Sequence, residues 1–299
     1  MDVSICIASS RPCGLARLME SIGRLKVPDG VELEVVVAEN AAEPNDEVKR
    51  TCQALAAQFP VRRLLEPRRN LSHVRNCSVE GASGRWLAFV DDDEVVHEDW
   101  LTAYWSMLER YDCDGYFGPV LARLEPGGSA WIDASFFARQ RFATGTPITA
   151  EGARTGNAFL RRGLFDGTGF DPAFGVGGGE DWDLFRRLQW RGERFAWCDE
   201  ARVDEFVPAA RQRLGWLTRR ALDGGASFVR VERRGPSAAR FGLSRLALGA
   251  IAAWALVPFA ALAGRRSAAR AWRRAWVQVG KICGRLARGS SDGEFREGC

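Results

Sequence analysis

Blocks of apolar and polar residues alternate along the first 110 positions. Val3–Ala8 is a short apolar run, the pattern of a strand buried on both faces. Beyond Ser9-Ser10-Arg11-Pro12, apolar residues recur at Leu15, Leu18, Met19, Ile22 and Leu25, one face of a helix. Leu33–Ala38 predicts a second strand, ending at Glu39-Asn40. Residues 44–58 predict a helix and Val61–Leu65 a third strand. Residues 71–82 predict a helix with Ser72 as its cap. Trp86–Val90 predicts a fourth strand that runs into Asp91-Asp92-Asp93, and a helix from about Glu98 to Arg110 follows.

Four strand–helix pairs at this spacing predict an α/β fold with a mostly parallel sheet flanked by helices. Ligands of such sheets bind at the carboxyl ends of the strands. The polar residues there are Ser9, Ser10, Arg11, Glu39, Asn40 and Asp91–Asp93. The second half is less regular. Gly115–Leu124 and Gly156–Arg161 read as strands, with a loop-rich stretch over 125–155. A glycine-rich turn, Gly175–Gly179, precedes Glu180-Asp181 and a helix with Trp182, Phe185, Leu188 and Gln189 near one side. Phe195–Cys198 and Ala201–Val203 predict a further strand pair.

Leu246–Ala263 contains no charged residue. As a helix it would be roughly 27 Å long, close to the thickness of a bilayer core. It carries Pro258, and Arg240, Arg245, Arg265, Arg266 and Arg270 flank it on both sides, so charge sets no orientation. Spanning, re-entrant and interfacial helices are all open, as is a buried helix of a soluble domain.

Composition narrows the class. Of 299 residues, 46% are hydrophobic and 27% charged, the balance of a globular protein rather than a disordered chain or a many-helix transporter. The eight cysteines form no C-x-x-C pair, which argues against a zinc ribbon and for reduced thiols in a cytosolic compartment. The net charge of +4 conceals an asymmetry. Residues 211–299 hold 18 Lys and Arg against 5 Asp and Glu, a balance of +13; residues 1–210 hold 24 against 33, a balance of −9. A basic tail that encloses an apolar stretch suits anionic lipid better than nucleic acid.

The candidate chemistry lies in two acidic motifs. Asp91-Asp92-Asp93-Glu94 places four carboxylates together at a strand end, where they repel one another unless a cation neutralises them. Hard divalent ions prefer carboxylate and phosphate oxygens, so an Asp-x-Asp here suits Mn²⁺ or Mg²⁺ held against a diphosphate. The same acids could equally cap the next helix. In Gly177-Gly178-Gly179-Glu180-Asp181 the glycines permit a bend and close approach of a ligand, and the acids could accept a proton or cap a helix. His73 and His97 have no partner at ligand spacing. Asp91-x-Asp93-x-Val95 also fits an aspartyl phosphatase pattern, but that motif belongs on a first strand.

Across residues 1–210 the chain resembles family 2 glycosyltransferases of the GT-A fold. The resemblance is carried by Val3-Ser4-Ile5-Cys6-Ile7-Ala8-Ser9-Ser10-Arg11, Val35-Val36-Val37-Ala38-Glu39-Asn40 and Asn70-Leu71-Ser72-His73-Val74-Arg75-Asn76. Gly84-Arg85-Trp86-Leu87-Ala88-Phe89-Val90-Asp91-Asp92-Asp93 and Gly179-Glu180-Asp181-Trp182-Asp183-Leu184 complete it. It implies a metal-dependent, inverting, hexosyltransferase-type enzyme that moves a sugar from a nucleotide diphosphosugar to a hydroxyl of a glycan or lipid-linked acceptor. By this resemblance Ala8, Ser9, Arg11, Glu39, Asn40, Arg75, Asp91 and Asp92 bind the donor. Asp93 and Asp91 hold a divalent metal, Mn²⁺ or Mg²⁺. Asp181 is the catalytic base, and Gly179, Glu180 and Trp182 lie on the acceptor side. Glu205 stands near where relatives carry a His. The expected organisation is a catalytic domain over 1–235, with a donor half at 1–120 and an acceptor half at 121–235. A basic, apolar, membrane-associated tail over 236–299 follows. The expected setting is the cytoplasmic face of a bacterial inner membrane, in cell-surface polysaccharide synthesis. The rival reading is a membrane-associated sugar-nucleotide binder without catalysis.

Overall fold

The computed structural model describes residues 1–10, 12–235 and 242–287. Arg11, Arg240 and the end of the basic tail therefore lie outside the described residues. The chain divides into two units. One comprises residues 1–121, 139–175 and 180–206; the other comprises 122–138, 176–179 and 207–299.

In the first unit the elements run β1 (Val3–Ser9), α1 (Pro12–Ile22), β2 (Leu33–Glu39), α2 (Asp46–Leu55), β3 (Val61–Leu65), α3 (Leu71–Gly81), β4 (Trp86–Asp91), β5 (Glu94–Val96) and α4 (Trp100–Arg110). There follow β6 (Gly115–Phe117), β7 (Val120–Leu124), β8 (Asn157–Arg161), α5 (Glu180–Trp190), β9 (Phe195–Trp197) and β10 (Val203–Val207), of which β7 and β10 cross the division. The main sheet has seven strands in the order β3-β2-β1-β4-β8-β6-β9. Strands β1 to β4 are parallel, and β8 runs antiparallel to both β4 and β6. The fold is thus α/β with a mostly parallel sheet flanked by helices.

Period-two alternation explains the layering. In β1, Val3, Ile5 and Ile7 face a core shared with α1, α2 and α4. Cys6, with Leu87 and Phe89 of β4, faces a second core built around Phe117, Phe165, Phe170 and Phe185. Because both faces are covered, the central strands read as continuous apolar runs.

Four details differ from the sequence pattern. The predicted strand 115–124 is broken into β6, in the main sheet, and β7, in a separate one; between them Gly118 passes so close to the Ala201 carbonyl that a Cβ would fall 2.2 Å from it. The last of the acids 91–94, Glu94, opens the short strand β5, which pairs with β10 in a separate sheet ordered β5-β10-β7. The predicted pair 195–203 consequently contributes to two different sheets. In α5 the buried face is Glu180, Asp183, Leu184, Phe185 and Leu188, with Trp182 beside it and partly exposed.

The second unit is helical: α6 (Leu214–Glu232), α7 (Leu243–Leu262) and α8 (Arg265–Leu286). Glycines bring α6 and α8 into close contact. A Cβ on Gly225 would lie 2.2 Å from the Val277 carbonyl, and one on Gly280 2.1 Å from that of Leu222.

Candidate active site

The parallel part of the sheet changes direction of build-up between β1 and β4. Strands β2 and β3 extend to one side of β1, and β4 lies on the other. This switch point is where α/β sheets bind ligands. Ala8 pairs with Ala38 and Asp91, and Ser9 pairs with Glu39, so these candidate residues share one sheet edge. The turn carrying Asp92 and Asp93 sits against the start of α1. The Ser10 amide donates to Asp92 Oδ2 at 3.0 Å, and a Cβ on Gly14 would fall 2.3 Å from the Asp92 carbonyl.

Arg75 joins the two acidic motifs. It projects from α3, is buried, and donates from Nη1 to Glu180 Oε1 at 2.5 Å and from Nη2 to Asp91 Oδ1 at 3.2 Å. Burial opposes its charge, but Glu180, Asp91 and Asp181 outweigh that and hold the guanidinium above its ordinary value. Burial also raises the Glu180 carboxyl, against the pull of Arg75. Glu180 Oε2 is buried with no hydrogen-bond partner among the described residues. Asp181 is partly exposed, and its Oδ1 accepts from the Trp182 amide at 2.7 Å. Gly178 (φ 75°) and Gly179 (φ 103°) occupy the left-handed region, the turn that starts α5 at Glu180.

A second cation serves the same group of acids. Arg139 donates from Nη2 to Glu205 Oε2 at 3.1 Å, and Glu205 faces Glu94 across the β10–β5 pair. Glu94 is fully buried, and its Oε2 accepts from the Asp91 amide at 3.0 Å. Burial, reinforced by the Asp91 charge, pushes its carboxyl well above the usual range. Gly156 leaves room for both acids, since a Cβ there would lie 2.9 Å from Glu94 Oε1 and 3.0 Å from Asp91 Oδ2.

Other predicted residues are engaged within the fold. Glu39 is buried; its Oε2 accepts from Arg63 Nη2 at 2.5 Å and its Oε1 from the Asn45 amide at 2.8 Å. Asn40 donates from Nδ2 to the carbonyls of Glu66 and Arg68. Ser9 Oγ is buried and has no hydrogen-bond partner among the described residues. Trp182 lies under the Arg154 guanidinium, 5.5 Å from ring centroid to Cζ.

Two features escape the sequence pattern. The helix cap before α3 is Asn70, not Ser72: Asn70 Oδ1 accepts from the Ser72 and His73 amides. Asn70, Ser72 and Asn76 also donate to the carbonyls of Pro172, Asp171 and Phe170, clamping α3 to the 169–175 loop. An Asn directly before a helix is a capping signal and could have been read as one. Asn157 is buried and fully bonded: Oδ1 accepts from Trp100 Nε1 and Tyr104 Oη, and Nδ2 donates to the Pro119 and Ala201 carbonyls. Its partners lie far apart in the chain, so no local pattern marks it.

Among the described residues no group of three or more His, Cys, Asp or Glu side chains is arranged to hold a metal. Ions such as Mg²⁺ are commonly held by one or two carboxylates together with substrate phosphates rather than by an all-protein cage. The oxygen donors of Asp91 and Asp93 fit that mode. A cavity of about 610 Å³, lined by residues including Trp86, Trp105, Tyr111 and Tyr116, lies at the opposite end of β4 from Asp91.

A mostly parallel α/β sheet gathers paired acids and a buried arginine at its switch point, and this arrangement, with the comparisons that follow, is that of a nucleotide-sugar-dependent glycosyltransferase of the GT-A type. The comparisons give the family: the model of glycosyl transferase family 2 matches residues 5–168, and the chain belongs to that family. It is 34% identical over 239 residues to the succinoglycan biosynthesis protein ExoM of Rhizobium meliloti (strain 1021), covering 77% of this chain and 74% of that protein. Its fold is similar to S. aureus TarS 1-349 in complex with UDP (TM-score 0.55, 15% identity, 95% of this chain and 91% of that one). It is also similar to GalNAc-T7 with UDP, GalNAc and Mn²⁺ (TM-score 0.56, 16% identity, 78% and 48%).

Proposed function

We propose that this enzyme transfers a sugar from a nucleotide diphosphosugar, with inversion, to a hydroxyl of a glycan or lipid-linked acceptor. The process is bacterial cell-surface polysaccharide synthesis at the cytoplasmic face of the inner membrane. The observation that carries the reading is Arg75, which ties Glu180 beside Asp181 to Asp91 of the Asp-x-Asp. One residue thereby brings a candidate base and a candidate diphosphate site into a single constellation. The name of the R. meliloti relative supports polysaccharide synthesis, and the TarS complexes with UDP and UDP-GlcNAc support a nucleotide-sugar donor.

In this reading residues 1–120 hold the donor, with Ala8, Ser9, Arg11, Asn40 and Asp92 along the nucleotide, and residues 121–235 face the acceptor. Glu39 belongs to the same donor set, its carboxylate fixed by Arg63 and the Asn45 amide. Asp91 and Asp93 would hold the Mn²⁺ or Mg²⁺, which offsets charge growing on the departing diphosphate. Asp181 accepts the proton of the acceptor hydroxyl as the new glycosidic bond forms, with Gly179 and Trp182 at its side. Glu180 keeps Arg75 in place and is not itself the base. The basic tail associates with the membrane.

The test is Asp181→Asn. Turnover should fall by about 10²–10⁴-fold, the usual range for a lost general base, while nucleotide affinity stays within a few-fold. Retained turnover with lost binding would refute the assignment. Asp93→Ala should abolish the Mn²⁺-dependent part of nucleotide binding in calorimetric titrations.

A further inference from the structure

The membrane association proposed above leaves open how the tail meets the bilayer, and the packing within the helical unit bears on this. Helices α7 and α8 are joined at Gly264 (φ 101°), a left-handed turn. The chain then doubles back. The Trp254 ring lies 5.3 Å from Trp272 and 5.4 Å from Trp276, so the middle of α7 is level with the first half of α8. On its other side α8 is locked to α6, where a Cβ on Gly284 would fall 2.5 Å from the Ala226 carbonyl.

The outer face of α7 is apolar and uncovered. Leu248, Ile251, Leu256, Phe259 and Leu262 are 62–87% exposed. At 3.6 residues per turn they fall within about 140° of the helix circumference. Leu246 and Ala250, on the opposite side, are buried. Over its 22 residues α8 carries Arg265, Arg266, Arg270, Arg273, Arg274, Lys281 and Arg285 and no acidic residue.

These two facts exclude a simple span. If α7 crossed the bilayer, α8 would carry Arg270, Arg273 and Arg274 to the same depth, where cations are strongly disfavoured. If α7 lies flat, its leucines and Phe259 enter the acyl layer and the exposed Arg270 and Arg274 of α8 meet headgroup phosphates. We propose that α7 is an in-plane anchor for an anionic lipid surface and does not cross it.

The experiment is flotation of the full chain with phosphatidylcholine vesicles, with and without phosphatidylglycerol. Binding should be at least roughly tenfold stronger with the anionic lipid and should weaken with salt. Phe259→Glu should release the protein while circular dichroism and nucleotide binding stay unchanged. Ser244→Cys and Ala263→Cys, placed at the two ends of α7, should both react with a membrane-impermeant maleimide added outside vesicle-bound protein, as read by peptide mapping. Protection of one end, lifted by detergent, would show a spanning helix; it would overturn this inference and leave membrane association intact. Failure to float with either vesicle would overturn both. A dimer that dissociates on Phe259→Glu, without flotation, would assign the face to a second copy and overturn the anchor.

Discussion

Arg75 is the residue on which the site turns. Its two carboxylate partners, Glu180 and Asp91, are about ninety positions apart in the chain and would repel each other without it. Gly156 matters for a steric reason. Gly156→Ala would press a methyl group on Asp91 and Glu94, which can yield by moving their carboxylates. Turnover should drop roughly tenfold to a hundredfold, as small misplacements of reacting groups do. The urea-unfolding midpoint should barely move. Glu66 supplies a pH test away from the acids. Its buried carboxylate accepts from Arg68 Nε, Nη2 and amide, and the Arg68 hydrogen bonds hold it below its ordinary 4.5. A lowered carboxyl stabilises the fold above the unfolded value and loses that stabilisation as pH falls through the folded one. Glu66→Gln should therefore be less stable than the parent at pH 7. Urea titrations should show the gap closing as the pH is taken below 4.5.

At the scale of elements, α3 is the part that places the chemistry. Its start is capped by Asn70, and its Asn70, Ser72 and Asn76 side chains hold the loop that leads toward Glu180. Asn70→Ala removes the cap and one loop bond together. The expected cost is about 1–2 kcal/mol in urea unfolding, typical of a lost cap. Activity should fall as well, because Arg75 lies one and a half turns further along the same helix. The helix and strand positions of the first half were legible from the apolar periodicity, since central strands buried on both faces leave long apolar runs. The cap was misplaced because Ser72 is a common capping type, whereas in the fold its hydroxyl is spent on the Asp171 carbonyl. Strand β5 was invisible because three residues that begin on the last of four acids carry no period to read.

For the whole molecule, donor and metal should act as one ligand. A nucleotide sugar of the correct base, at about 100 times its dissociation constant, stabilises the native state by about 2.7 kcal/mol. That should raise the melting temperature by roughly 5–10 °C. With Mn²⁺ present the shift should appear in differential scanning fluorimetry, and EDTA should remove most of it. A shift of equal size with EDTA would count against Asp91 and Asp93 as metal ligands. The opposed charges of the two chain regions, −9 over 1–210 and +13 over 211–299, belong to the same scale: the candidate chemistry sits in the acidic region, and the proposed lipid contact in the basic one.

Local order in the sequence was enough to specify the α/β class, the ordered motifs of the family and the two acidic clusters, because each rests on neighbours within a few residues. Tertiary structure alone decided what joins those clusters. The roles of Arg139 opposite Glu205 and of Asn157 between α4 and two distant carbonyls arise from residues many tens of positions apart. The same holds for α7. Its hydropathy is written in its own residues, but only its packing against a cationic neighbour distinguishes a helix that crosses a bilayer from one that rests on it.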